Sequence, residues 1–309
     1  MIRALVVGGI GVDINVSLYD GQWPLPNADT IFVPQIANLS LGHAGSGVAL
    51  QAAALGCKVF AADIIGDDSF GQFANKELAD RGVDLVAAID PAGTRRSVNL
   101  VRSDGGRLSL HDPRHDYELM PDSTLWRNLL NNVDWAHIVI VNWARLALRD
   151  ARAQGVLTST DVQDWDGIDE HHKEFAYNAD VVFCSAANIS SPDDMAANIF
   201  AHGIARLVII TQGSKGALIY ERDPSGAAPQ SAPLTPIHVP AITLPDYQII
   251  DTNGAGDSFT ATFMTEWLSG HSPAKAGRRA AIAASYSASH RGTNYHLVTA
   301  TDLTRFAQN

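Results

Sequence analysis

A chain of 309 residues with 46% apolar and 18% charged side chains can bury a sizeable core, which excludes a disordered or fibrous polymer. Its 22 basic and 33 acidic side chains leave a formal net charge of −11 at pH 7; such a surface repels phosphate backbones and argues against a nucleic-acid partner, while a local pocket for a small anion stays compatible with it. No run approaches the ~20 apolar residues of a membrane span, and the opening Met1–Gly8 run is too short for a signal-peptide core, so the expected location is the cytoplasm.

In chain order, Leu5–Val7 reads as a first strand, and residues 13–40, with Pro24, Pro26 and Pro34 scattered through them, show little helical pattern. A helix is expected from about Gly47 to Leu55, a strand over Lys58–Ala62, and a helix over Phe70–Arg81 that Gly82 stops. Residues 94–111 read as a hairpin in which Ser97–Val101 and Arg107–His111 flank Asp104-Gly105-Gly106. Its alternation puts Val98 and Leu100 on one face, and Leu108 and Leu110 on one face of the partner strand. Ala136–Val141, Val156–Thr158, Asp180–Phe183 and Arg206–Thr211 then recur as apolar strands between helical stretches, the pattern of a parallel sheet covered on both faces. Residues 224–245 read as a surface excursion, with an antiparallel edge as one reading. The two cysteines, Cys57 and Cys184, lie in apolar surroundings outside any Cys-x-x-Cys pair and are expected to be buried and reduced. The whole implies one α/β domain over residues 1–309, a three-layer sandwich with a mostly parallel central sheet. A small β-sheet lid is formed within it by about 13–40 and 94–113.

The strongest local signal is Asp251-Thr-Asn-Gly-Ala-Gly-Asp257. Phe259, Phe263 and Trp267 follow it at every fourth residue, the buried stripe of a helix ended by Gly270. Gly254, Ala255 and Gly256 therefore stand at a helix start, where amides lack intrahelical partners and the dipole favours anions. A carboxylate, Asp257, comes directly after. Phosphoryl transfer needs such a pairing: N–H donors for the moving phosphate and a base for the hydroxyl proton. The competing reading makes Asp257 a first-turn acid and the glycines a tight turn.

The same residues resemble the C-terminal signature of the ribokinase-like (PfkB) family of sugar and nucleoside kinases, and the resemblance covers nearly the whole chain. Gly42-His-Ala-Gly-Ser-Gly-Val-Ala49 stands where that family has an N-terminal Gly-rich signature, Gly66-Asp67-Asp68 with Gly71 matches its Gly-Asp-Asp loop, and Thr211-Gln-Gly-Ser-Lys-Gly216 matches its nucleotide-binding turn. The resemblance implies ATP and Mg2+ as cofactors, Asp257 as the base, and the Gly254, Ala255 and Gly256 backbone as an anion hole for the γ-phosphate. It implies that Thr211, Gly213, Ser214 and Gly216 line the ATP site and that Gly42, His43 and Gly47 border the substrate. By the same likeness Asp13 accepts hydrogen bonds from substrate hydroxyls, although a turn-forming Asp is the competing reading. Asp251 and the loop around Gly292 resemble a monovalent-cation (K+) site of some members.

Three departures qualify this. Gly47 stands where the signature usually has Asn, the usual Asn-x-x-Glu after the Asp180–Phe183 strand is Ser185-Ala-Ala-Asn188, and the lysine of phosphosugar kinases is missing from the Gly-rich signature. The last argues for an unphosphorylated sugar or related polyol, and the second for Mg2+ held mainly by the nucleotide. Other signals are discounted. Gly9-Ile-Gly11-Val-Asp-Ile14 lacks the sixth small residue of a dinucleotide turn. Pro113 keeps His111 and His115 off one helix, so this stretch reads as the lid terminus, and His171-His172 reads as solvated. Asp161 either faces the cleft or caps the next segment. The expected activity is ATP-dependent phosphorylation of a hydroxyl on a small sugar-like molecule. A nucleoside kinase and a catalytically weakened sugar-binding sensor are the alternatives, and a homodimer through the lid is expected.

Overall fold

The computed structural model describes all residues except 21–22, 103–105, 224–233, 246, 291, 293, 295 and 309. Its first half runs β1 (Arg3–Val7), β2 (Gly11–Ser17), β3 (Asn38–Gly42), α1 (His43–Ala54), β4 (Lys58–Ile65), α2 (Ser69–Asp80), β5 (Val83–Ile89), β6 (Arg96–Val101), β7 (Arg107–Asp112), α3 (Thr124–Leu130) and β8 (Trp135–Ile138). The second half adds α4 (Ala144–Ala153), β9 (Leu157–Asp161), α5 (Glu170–Ala176), β10 (Val181–Ser185), α6 (Pro192–His202), β11 (Leu207–Thr211), β12 (Ala217–Glu221), β13 (Ile237–Val239), α7 (Ala255–Leu268), α8 (Pro273–Ala288) and α9 (Ala300–Ala307). No helix of the described residues is long and apolar enough to cross a membrane.

Nine strands form the large sheet in the order β13-β12-β11-β10-β9-β8-β1-β4-β5. From β11 to β5 every neighbour is parallel, and β12 and β13 add an antiparallel edge. Successive side chains of a strand point to opposite faces, so Ala4 and Val6 bury against a cluster holding Leu50 of α1 and Phe263 of α7. Leu5 and Val7 bury against Trp126, Leu148 and Phe200 of α3, α4 and α6 on the other face. The near-continuous apolar strands are explained by these two covered faces. Parallel strands all end on one side, where their outgoing loops can gather functional groups.

A separate sheet has the order β3-β2-β6-β7, drawn from residues 11–17, 38–42, 96–101 and 107–112. Its register sets Val98 opposite Leu110 and Leu100 opposite Leu108, as the alternation predicts. The burial is the reverse of an ordinary half-buried sheet. The polar face is covered along β2 and β6, with Asn99 3% and Ser97 6% exposed, whereas edge strand β7 is exposed on both faces, Leu110 at 54%.

Several boundaries differ from expectation for physical reasons. Helix α1 starts at His43 rather than near Gly47, because its first turn docks on the β1 exit loop, with the Ser46 amide donating to the Gly9 carbonyl at 3.1 Å. β8 ends at Ile138, where the Val141 amide turns back onto the Val139 carbonyl, and β9 runs on to Asp161. Gly9–Ile14 leads into strand β2 rather than a helix, so no dinucleotide turn forms there. Asp68 caps α2 by accepting from the Gly71 amide, and also accepts from the Thr94 amide. Cys184 is buried and Cys57 only half-buried, and both are free thiols. Of the 224–245 excursion, residues 224–233 lie outside the described residues; β13 supplies the antiparallel edge. Asp104 and Gly105 of the hairpin turn also lie outside them.

Candidate active site

The start of α7 is built by Gly254, whose φ of 79° is left-handed backbone that a glycine adopts without strain. The Ala255 amide turns back to the Thr252 carbonyl, and the Ser258 amide opens the helical ladder on Gly254. Between them the Gly256 and Asp257 amides meet no acceptor among the described residues. A side chain at Gly256 would point into open space, so its backbone is bare toward the cleft. Unpaired first-turn amides at a dipole's positive end form a place for an anion.

Asp257 sits in that first turn and lines the cleft with Gly256. Burial raises its carboxyl pKa well above the ordinary range. The charge of Asp161 raises it further, Arg107 opposes, and Asp13 adds a smaller push upward. Beneath it lies Gly47, where an added Cβ would stand 2.4 Å from Asp257 Oδ2. The missing Asn of the N-terminal signature thus has a steric reason: Asp257 occupies the space a side chain there would need. Gly47→Ala is expected to displace the carboxylate and lower kcat about 100-fold, the usual scale for a misplacement of about 1 Å, with near-normal thermal stability measured in parallel.

The opposite wall comes from the small sheet. Its polar face carries a row of Asp13, Ser97 and His111, then a row of Asn15, Asn99 and Ser109, buried on β2 and β6 and exposed on β7. Hydrogen bonds tie Ser40 to Asn15 (3.0 Å), Asn15 to Asn99 (3.0 Å) and Asn99 to Ser109 (2.7 Å), across all four strands. Asp13 is 3% exposed and lies against Gly42, where a Cβ would be 2.1 Å from its Cγ. His43, with a positive φ of 66°, brings Nε2 to 3.9 Å from Asp13 Oδ1. Burial, then the Arg95 guanidinium and His111, pull the His43 pKa down to about 3, so it is neutral and the contact is no ion pair. Its Nε2 is buried without a hydrogen-bond partner. Arg95 is taken up by buried Asp63 at 3.2 Å. Arg107 of β7 donates to the Asn253 side chain, linking the small sheet to the loop before α7.

One cleft of about 840 Å3 is lined by Asp13, His43, Arg107, His111, Gly256 and Asp257 together with the loops after β8 and β9. A model of the pfkB family of carbohydrate kinases matches residues 28–300. The chain belongs to that family. An acarbose 7(IV)-phosphotransferase of an Actinoplanes species is 32% identical over 283 residues, covering 91% of this chain and 90% of the relative. An ATP-dependent ribose-1-phosphate kinase of Halopiger xanaduensis is 28% identical over 275 residues, covering 87% and 86%. Among solved structures, a microbiome-derived acarbose kinase superposes with a TM-score of 0.92 at 40% identity over 100% of both chains. Arabidopsis thaliana ribokinase, complexed with ribose and ATP, shares the fold at 20% identity, a TM-score of 0.78 and 100% coverage of both chains. This pfkB-family protein is therefore an ATP-dependent kinase of the sugar and nucleoside class.

In this pfkB kinase the sequence-derived candidates fall into three places. Asp13, His43, Gly256 and Asp257 share the cleft, with Gly42 and Gly47 packed behind its carboxylates. Thr211, Gly213, Ser214 and Gly216 form a turn after β11 that does not line this cleft, but Thr211 pairs with Ser185 of β10, which does. Asp251 lies behind the helix start, its two oxygens accepting the Asn253 amide at 3.0 Å and the Gly292 amide at 3.1 Å. Sequence reasoning missed the polar face of the small sheet, although asparagines at alternate strand positions were its signal. It also missed the β8 and β9 loops. His171 is no solvated residue: its Nε2 lies 2.7 Å from the Ile140 carbonyl, and it lines the cleft. Asp161 accepts from the Gln163 amide at 2.7 Å while its charge reaches Asp257.

Proposed function

We propose that this kinase transfers the γ-phosphoryl group of ATP to a hydroxyl of an unphosphorylated sugar or related polyol held between the small sheet and the strand ends. The observation that carries the reading is Asp257, a carboxylate of raised proton affinity at a helix start, facing the same cleft as Asp13 and the unpartnered Nε2 of His43. The acceptor hydroxyl hydrogen-bonds Asp257, which takes its proton as the oxygen bonds to the γ-phosphorus. The bond to the bridging oxygen breaks, and ADP leaves. The Gly254–Gly256 backbone, with the open Gly256 amide aimed at the transferring phosphoryl, stabilises the charge that develops there. Thr211, Gly213, Ser214 and Gly216 hold the nucleotide; Asp13, His43, Gly42 and Gly47 shape the acceptor end. The small sheet acts as a lid that excludes water, with Arg107 on Asn253 as its latch.

Mg2+ would supply charge neutralisation on the phosphates. The residues present fit it: Asp164 lines the cleft as a hard oxygen donor, and Asn188, at the position of the missing glutamate, holds it by donating to its carboxylate at 2.9 Å and its carbonyl at 3.0 Å. Among the described residues no group of three or more His, Cys, Asp or Glu side chains forms a metal cluster, as suits a Mg2+ that keeps waters and phosphate oxygens as ligands. Asp164→Asn is expected to raise the Mg2+ concentration for half-maximal rate about tenfold, measured at fixed ATP. A K+ at Asp251 belongs to the proposal as well, its carboxylate being buried where the Asn253 and Gly292 loops meet.

Two similar proteins carry acarbose in their names, so acarbose leads the acceptors to be tried. The exposed Leu108 and Leu110 face is proposed to pair with a second copy, giving a dimer mass in light scattering. We place the enzyme in the cytoplasm, where its ATP is supplied. The function is tested by acceptor-dependent ADP release across sugars, oligosaccharides, polyols and nucleosides. Release with a sugar-like member supports the proposal, release with nucleosides alone replaces it by a nucleoside kinase, and thermal stabilisation by a sugar without turnover favours a sensor.

A further inference from the structure

The cleft continues past the residues assigned to the reacting hydroxyl. At about 840 Å3 it lies near the top of the range of about 300–1,000 Å3 that takes drug-sized ligands, several times the size of one sugar ring. The nucleotide-side turn Thr211–Gly216 contributes nothing to its lining. Its lining also includes Tyr117, after β7, Asn142, after β8, and His171 of α5.

Tyr117 is 60% exposed yet fixed at several points. Its carbonyl accepts from Asn142 Nδ2 at 2.7 Å, and its hydroxyl lies 3.1 Å from His171 Nδ1. Since His171 Nε2 faces the Ile140 carbonyl at 2.7 Å, which can only accept, the proton sits on Nε2 and Nδ1 accepts from the tyrosine hydroxyl. The two rings stand 5.8 Å apart at 56°. An aromatic ring held this way and left facing water contributes little burial to the fold, and its rotamer entropy is already spent. Those are the properties of a binding platform: a rigid tyrosine takes up a flat, partly apolar partner at small further ordering cost. The C–H face of a pyranose is such a partner, and Gln163 lines the same cleft with a side-chain amide for its hydroxyls. Gln163 holds a φ of 55°, a strained backbone of the kind that gathers at ligand sites.

We propose that Tyr117, braced by His171 and Asn142, is a second-ring subsite that receives a sugar ring beyond the one bearing the reacting hydroxyl, so that the enzyme selects oligosaccharide-like acceptors by length. The inference rests on the cleft being the acceptor site. Selection then acts on acceptor binding, since a ring at Tyr117 is not the one that reacts.

The test measures KM and kcat with acarbose and maltotetraose as four-ring acceptors against their one-ring and two-ring fragments, in wild type, Tyr117→Ala and Tyr117→Phe. In wild type KM should fall as rings are added. In Tyr117→Ala that length advantage should shrink about tenfold, the scale of one lost ring contact, while Tyr117→Phe keeps most of it. An equal rise in KM for all lengths, or no change for any, overturns the subsite. So does a wild type that phosphorylates single rings with no gain from longer ones. A wild type that releases ADP with no acceptor of the series overturns the acceptor-site reading itself, and the subsite falls with it.

Discussion

Asp257→Ala is expected to lower kcat about 1,000-fold, within the range of about 100- to 10,000-fold that a positioned general base contributes, while the affinity for ATP measured by calorimetry stays close to wild type. The separation follows from the fold. The carboxylate is borne by the first turn of α7 and faces the cleft, whereas Thr211–Gly216, proposed to hold the nucleotide, lies at the end of β11 and makes no contribution to that cleft. Asp257→Asn should be equally inactive yet melt about 1–3 °C higher, because a site built for chemistry is held at a cost in stability. The sign follows from linkage. Burial and Asp161 raise the folded-state pKa above the unfolded one, so the cost in stability sets in as pH rises above the unfolded pKa and is complete above the folded one. The gain from the amide should therefore be present at neutral pH and vanish as pH falls through the ordinary carboxylate range. A near-normal rate in Asp257→Ala would remove this residue as the base.

The second large effect concerns pH. A base must be ionised to accept the hydroxyl proton, so kcat/KM should fall as pH drops through the raised pKa of Asp257. Burial is the leading cause of that elevation and cannot be removed without collapsing the site. Asp161 is the next and can be. Asp161→Asn takes away a neighbouring negative charge, makes ionisation of Asp257 easier, and should move the acid limb of the profile to lower pH. Arg107→Ala removes the opposing positive charge and should move it higher. The pair is informative because a merely structural effect of either change would depress the whole curve rather than shift its limb in opposite directions. Shifts of the same sign, or a limb that stays in place, would detach the profile from Asp257.

The sheet and the helix start were legible because each is local. Apolar runs such as Arg206–Thr211 read as strands whatever their neighbours, and small residues before an amphipathic stripe at Phe259 and Phe263 mark an anion-receiving helix end. The hairpin register was legible too, since Val98 and Leu100 alternate with Ser97 and Asn99. That Ser97 and Asn99 rather than Val98 and Leu100 would be the buried set of β6 was not, because that depends on the sheet facing a cleft rather than a core. Gly47 read as a lost amide until its Cβ position was seen to coincide with Asp257, a contact between residues 47 and 257 that no window along the chain contains. The charge of Asp161 on Asp257, the bracing of Tyr117 by His171 and the hold of Asn188 on Asp164 are likewise properties of loops that meet only in three dimensions. Strand ends were misjudged wherever the chain continued apolar after leaving the ladder, as at Val139–Val141.

The most direct measurement is phosphorus NMR of the acceptor after incubation with ATP and Mg2+, run with wild type and Asp257→Ala in parallel. The account predicts a phosphate-ester resonance coupled to acceptor protons, growing in step with ADP in the wild type and absent in the variant. ADP accompanied only by inorganic phosphate, or the same ester formed at the same rate without the Asp257 carboxylate, would contradict it.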